Sequence, residues 1–289
     1  RGTWLTLRTL DDLRHWVDTY RPLIDRNPAA FCAVELALLN ALAAQSAQSV
    51  ESLLSLPALS GEFRDSGILG RRDTDTLATL LARYRRMAIT DFKVKLFGDE
   101  SVDRGNLSAM HRLAPHDCRL RYDANNRWRA PDDAIAFVRA LGADIIAIEE
   151  PLAVADHAGC LTVADGLGCP VILDESCRTL HDLDRLPGAA EHWVVNIRVS
   201  KMGGLLRSLE IAAAARARSI PLIVGAHVGE SALLTRAALT IANAYRAELI
   251  AQEGAFGTWL LQHDLVDPSL QFGAGGVLAA VDVPLRVGC

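Results

Sequence analysis

Apolar and polar positions along this chain fall into two rhythms. Short β-branched runs that end in charge, Phe92–Lys95, Arg121–Asn125, Ile146–Pro151, Val171–Ser176 and Val194–Lys201, alternate with stretches whose apolar residues recur every three or four positions. Runs of the first kind read as strands buried on both faces and those of the second as amphipathic helices, so the pattern predicts a parallel sheet with helical crossovers. Gly67–Gly70 before these runs, and PLIVGAH and ELIAQEG after them, bring the strand count to eight. Helices are expected over Asp75–Met87, Ser101–His116 and Pro131–Leu141. The first 65 residues show only the helical rhythm, with Leu10–Tyr20 following a Thr9 cap and a second helical segment over Pro28–Leu56. The expected architecture is a (β/α)8 TIM barrel over 66–275, preceded by a helix-rich segment, 1–65, and followed by a tail, 276–289.

In such a barrel the carboxyl ends of all strands meet at one face. Asp123, Glu149 and Asp174 stand at the ends of three successive strands, 26 and 25 residues apart, close to one β/α unit of roughly 30 residues. A strand-end acid can simply cap the helix that follows. Three at this spacing, flanked by lysines, point to a shared cation, and an all-carboxylate set suits Mg²⁺ or Mn²⁺ rather than zinc. Lys93 and Lys95, two apart on one strand, face the same side. Lys201 approaches from across the mouth. The like charge of its neighbour and a nearby dication are expected to lower the pKa of one of the paired lysines toward that of a general base.

The phrases K-x-K, D-A-N, E-E-P, D-E-S and S-K-M-G-G, in this order over roughly Ala29 to Gly276, resemble the enolase superfamily and most of all its muconate-lactonizing subgroup. The resemblance implies that Asp123, Glu149 and Asp174 hold Mg²⁺, that Lys95 is the base on one face of the substrate and Lys201 the acid/base on the other, and that Lys93 helps bind the substrate carboxylate and tunes Lys95. It implies removal of the proton α to a carboxylate to give a metal-stabilised ene-diolate, a chemistry the superfamily shares. Cycloisomerisation of the muconate type is the first expectation. A racemase or epimerase of N-acyl amino acids, an o-succinylbenzoate synthase, an acid-sugar dehydratase or a catalytically silent scaffold are the alternatives.

Further contacts to substrate or to the groups around it are expected of Asn125, which could equally be a turn residue, and of Glu175, Asn196, His227 and Glu253. Glu150 is expected to point away as a supporting or ion-pairing group. Arg198 departs from the lysine common in the family. Gln252-Glu253-Gly254 departs from the D-x-D pair of the dipeptide-epimerase branch, which speaks against an α-ammonium being read by two aspartates. In the family an antiparallel sheet precedes the cap helices; no strands for it are evident here, so the α+β capping domain is expected to be incomplete, with the tail returning toward it.

Composition narrows the partners. A net charge of −5 and 22 % charged residues offer nothing to nucleic acid or an anionic membrane. Six cysteines with no C-x-x-C indicate neither a disulfide framework nor a zinc site, hence a reducing, cytoplasmic setting. Apolar runs fall short of the ~20 residues that span a bilayer. Cys177, with no histidine beside it, is expected to be a packing residue. The partner expected is a small-molecule carboxylate, and homo-oligomers are common in the family.

Overall fold

The computed structural model describes residues 7–70, 74–113, 117–265, 270–271 and 273–279. The described residues open with four helices, α1 (Leu10–Thr19), α2 (Arg21–Arg26), α3 (Pro28–Gln45) and α4 (Val50–Leu53). Thr9 caps α1 through a reciprocal box with Asp12. The helical segment expected over Pro28–Leu56 is broken between α3 and α4, where Ala47 takes a left-handed φ of 50°.

Eight parallel strands follow in chain order around one curled sheet: β2 (Gly67–Leu69), β3 (Asp91–Lys95), β4 (Arg119–Asp123), β5 (Ala147–Glu149), β6 (Val171–Leu173), β7 (Trp193–Ile197), β8 (Leu222–Val224) and β9 (Leu249–Gln252). Helices α5 (Thr74–Arg86), α6 (Glu100–Leu113), α7 (Pro131–Leu141), α8 (His157–Leu167), α9 (Leu180–Asp184), α10 (Val199–Met202), α11 (Leu205–Ala217) and α12 (Ala232–Ala244) connect them. The edges β2 and β9 are bridged by one backbone hydrogen bond among the described residues, from Ser66 N to Gln252 O at 2.8 Å. Inside the curl, Ala147, Ile172, Val194, Ile223 and Ala251 form a core of their own, so the centre is packed rather than a pore. A larger core fills the layer between sheet and helices.

Two expectations need correction. A strand does lie within the first 65 residues: β1 (Glu62–Arg64) pairs antiparallel with β10 (Val277–Ala279), more than 200 positions away. The expected last phrase of β7 is also not all strand. The strand stops at Ile197, and Lys201 sits on the single-turn helix α10, so the run expected as strand over Val194–Lys201 leaves the sheet before Arg198. Of the tail, residues 280–289 lie outside the described residues.

Although no apolar run is long by itself, α3 is by length and composition apolar enough to cross a membrane. Its stripe of Phe31, Cys32, Leu36, Leu39 and Leu42 is buried and packs on α4, α10 and α11, as a core helix does. A glutamate, Glu35, lies within that stripe and is fully buried.

Candidate active site

Strand geometry assembles the site at the carboxyl ends of β3 to β7. Asp91, Lys93 and Lys95 alternate on β3 and so share a face. The parallel register sets Lys93 beside Arg121 and Lys95 beside Asp123, then Asp123 beside Glu149 on the next strand. Asp174 stands one residue past β6.

Each acid meets a cation of the chain itself. Lys93 Nζ lies 2.7 Å from Glu253 Oε2, 3.3 Å from Glu149 Oε2 and 3.9 Å from Asp123 Oδ2. Lys95, with 35 % of its side chain exposed, reaches Asp123 Oδ2 at 3.4 Å and donates to Asn125 Oδ1 at 3.1 Å. Lys201 Nζ donates to Asp174 Oδ1 (2.7 Å), Asp174 O (2.6 Å) and Asn196 O (2.7 Å). Arg198 grips both oxygens of Asp174 and donates to Glu175 Oε1 at 3.2 Å.

Burial and these partners set the protonation landscape. Burial alone would depress Lys93, but Glu149, Glu253 and Asp123 outweigh it and hold its pKa above the usual value. The lysine brought down is Lys201, to about 7, through burial and the neighbouring Arg198 guanidinium. The expectation that one of the β3 pair is lowered therefore fails for Lys93, because three carboxylates surround it. Burial and the charge of Glu149 push Asp123 up, while Glu149, against its own burial, is held down by Lys93, Arg121 and Arg198.

The remaining expected residues also converge. Asn196 donates to Glu149 Oε1 at 3.1 Å. Asn125 is both turn residue and polar contact, since its φ of 46° is left-handed, a conformation asparagine tolerates, and its side chain holds Lys95. His227 sits 3.3 Å from Arg198 Nη1 at the end of β8 and is itself exposed. Glu253 is buried between Lys93 and Arg121. Among the described residues Glu150 makes no ion pair; its carboxylate accepts from Asp174 N, Ser176 N and Ser176 Oγ, all at 2.7 Å, and so shapes the loop that presents Asp174. Cys177 is a fully buried free thiol whose pKa burial pushes up to about 12, a packing residue as expected.

Sequence reading missed Arg121. Fully buried, it donates to Glu253 (3.0 Å), Asp91 (2.9 Å) and Ser66 Oγ (2.6 Å), forming the floor beneath Lys93. The signal was present: if Asp123 points inward, so does the residue two before it. A cavity of about 230 Å³ lined by Ile68, Gly70, Tyr84, Ala226, His227 and Phe256 offers largely apolar space. Gly70 in its lining borders Lys95, since a Cβ there would stand 3.2 Å from Lys95 Cδ.

Among the described residues no three metal-ligating side chains already stand as a metal-holding group. The donor set still fits an oxygen-preferring dication. Asp123 and Glu149 are adjacent buried carboxylates whose mutual repulsion a cation would relieve, and Asp174 is the third, here covered by Arg198. Replacing Arg198 by methionine should therefore tighten Mg²⁺ binding roughly tenfold or more, since a hydrogen bond to a charged group is worth about 1.5–3 kcal/mol. Isothermal titration calorimetry reads this directly, and weaker binding in the variant would show that Arg198 helps build the metal site.

A family model described as Enolase C-terminal domain-like matches residues 76–288. The L-Ala-D/L-Glu epimerase of Escherichia coli K12 is 33 % identical over 183 residues, covering 63 % of this chain and 53 % of the relative. A hydrophobic dipeptide epimerase of Enterococcus faecalis is 28 % identical over 236 residues, covering 78 % and 65 %. The chain thus spans between about half and two thirds of these relatives. The crystal structure of the dipeptide epimerase from Enterococcus faecalis V583, complexed with Mg and the dipeptide L-Leu-L-Tyr, superimposes with a TM-score of 0.79 at 21 % identity, over 94 % of this chain and 77 % of that one.

Proposed function

The chain belongs to the Enolase C-terminal domain-like family, and on that premise we propose that it racemises or epimerises the α-carbon of an N-acylated amino acid, a dipeptide or an N-acyl amino acid, by a two-lysine proton transfer. The observation that carries this reading is the placement of the lysines. Lys95 ends β3 and Lys201 follows β7, four strands apart in an eight-stranded curled sheet, and the three acids stand at or just past the ends of the strands between. A base on each side of one carbon suits inversion at that carbon better than ring closure, and both epimerase relatives support the choice over the muconate-type cycloisomerisation expected first.

Lys201, lowered to about 7, takes the α-proton from one face as the neutral amine. Lys95 returns a proton to the opposite face, and the roles exchange for the other enantiomer. Lys93 and Arg121 keep positive charge beneath the substrate carboxylate, and the apolar cavity accepts a side chain or acyl group. Mg²⁺ held by Asp123, Glu149 and Asp174 would supply the positive charge against which the carboxylate takes up a second negative charge. In this assignment Asn125, Asn196, Glu175, His227 and Glu253 orient the charged groups. Residues 1–65 serve as the helical part of a cap and 66–275 as the catalytic unit.

The test is proton exchange in D₂O with Mg²⁺, followed by ¹H-NMR over L-Ala-L-Leu, L-Ala-D-Leu, L-Ala-L-Glu, N-acetyl- and N-succinyl-amino acids and cis,cis-muconate. Exchange and inversion at the α-carbon of an acylated amino acid is the expected result. Lactone formation from muconate without α-exchange in the others would overturn it.

A further inference from the structure

Lys201 does not stand on a strand but on the four-residue turn α10, and that turn is fixed from outside the sheet. Helix α11 begins at Leu205 behind Gly204, a cap position with no side chain to receive the first backbone N–H groups. The missing acceptor comes from α3. Glu35 Oε2 accepts from Leu205 N and, at 3.3 Å, from Leu206 N. The two glycines of S-K-M-G-G make room for this. Gly203 (φ 84°) and Gly204 (φ 122°) hold backbone unfavourable to other residues. A Cβ on Gly204 would fall on the Glu35 carboxylate, and one on Gly203 would meet Ile24 of α2. The glycine pair thus leaves room at this helix start for a carboxyl group of the chain itself.

We propose that Glu35 is a positioning residue for Lys201: by capping α11 from the N-terminal helices it sets the α10 turn, so that one of the two proton-transfer faces is ready only when those helices are docked. The connection is short. Gly204 N donates to Val199 O at 2.9 Å, closing the turn around Lys201, whose Nζ then reaches Asp174 and Asn196. Docking has a further polar tie to α11 away from the turn, Arg21 to Glu210 at 2.8 Å. The inference rests on the two-lysine reading only for its catalytic consequence.

The experiment compares wild type with Glu35→Ala, Glu35→Gln and Glu210→Gln, the last removing a docking contact away from the turn. Trace acetylation, at one fixed pH for all variants, is quantified by mass spectrometry as the Lys201 to Lys95 ratio, alongside amide exchange of Leu205 and Leu206. Glu35→Ala should raise the ratio at least fivefold and speed both amides at least tenfold, Glu35→Gln, which keeps an acceptor oxygen, should stay within twofold of wild type, and Glu210→Gln should change neither. If Glu35→Ala does not fold, Gly204→Ala displaces the same carboxylate and carries the same expectation. Faster amides with an unchanged ratio would reduce Glu35 to a helix cap, and an equal rise in Glu210→Gln would make the effect general loosening; either overturns the proposal. With L-Ala-L-Leu and L-Ala-D-Leu in D₂O, Glu35→Ala should lose exchange on one epimer at least tenfold more than on the other, and equal losses would also overturn it. Labelling needs no turnover, so a wild type that exchanges neither dipeptide would count against the proposed reaction while the labelling still decides Glu35.

Discussion

Lys201→Ala should abolish α-proton exchange on one enantiomer of a responsive substrate, by about 10²–10⁴-fold, the range a positioned acid or base contributes, while leaving exchange on the other enantiomer within a fewfold of wild type. Lys95→Ala should show the mirror pattern. The asymmetry follows from the two amines lying across the mouth from one another, each with its own carboxylate: Asp174 for Lys201 and Asp123 for Lys95. Racemisation needs both and should fall to background in either variant, whereas exchange needs one. Single-enantiomer exchange in D₂O, with inversion followed separately by chiral chromatography, reads the two events apart. Loss of both exchanges together in each single variant would mean that one lysine serves both faces and would sink the two-base arrangement.

The second large effect concerns stability. Arg121→Met should destabilise the fold by roughly 3–5 kcal/mol, the cost of breaking a buried charge network by removing one partner. Its guanidinium satisfies Glu253 and Asp91, and Glu253 would keep only Lys93. In Arg121→Met combined with Asp91→Asn the losses should be less than additive, because the second change removes a charge that the first leaves only partly paired, with Arg119 at 3.6 Å. Urea unfolding followed by circular dichroism measures both. A single-variant loss below about 1 kcal/mol would show that water or a shift of Lys93 compensates Arg121.

Much of this site is legible in the sequence because strands translate spacing into position. Period-two alternation set Lys93 and Lys95 on one face, and the one-unit intervals between Asp123, Glu149 and Asp174 put those acids at neighbouring strand ends. What alternation does not carry is anything beyond the last hydrogen-bonded residue of a strand. Lys201 was read as strand-borne because its apolar run continues past Ile197, where the backbone in fact turns into α10. Contacts made across long sequence separations were equally hidden. Glu150 binds the backbone of the next strand's loop, Glu35 the start of a helix 170 positions on, and β1 finds its partner near the far end of the chain. For Glu35 one local sign existed, a charge inside an otherwise apolar stripe of α3, since a buried carboxylate must find donors.

The bridge between β2 and β9 has a consequence for how the molecule comes apart. Seven neighbouring pairs of strands are joined by ladders, while the eighth boundary among the described residues rests on one backbone hydrogen bond, reinforced by Ser66 Oγ on Gln252 O and by Arg121 reaching from Ser66 to Glu253. A ring with one latch opens at the latch. Glu253 adjoins that boundary, so water admitted there reaches the charge network under Lys93 while the acids on β4 to β6 are still held in their ladders. On warming, the chain should lose the electrostatics of its site before it loses its sheet, and failure of activity should run ahead of failure of the fold.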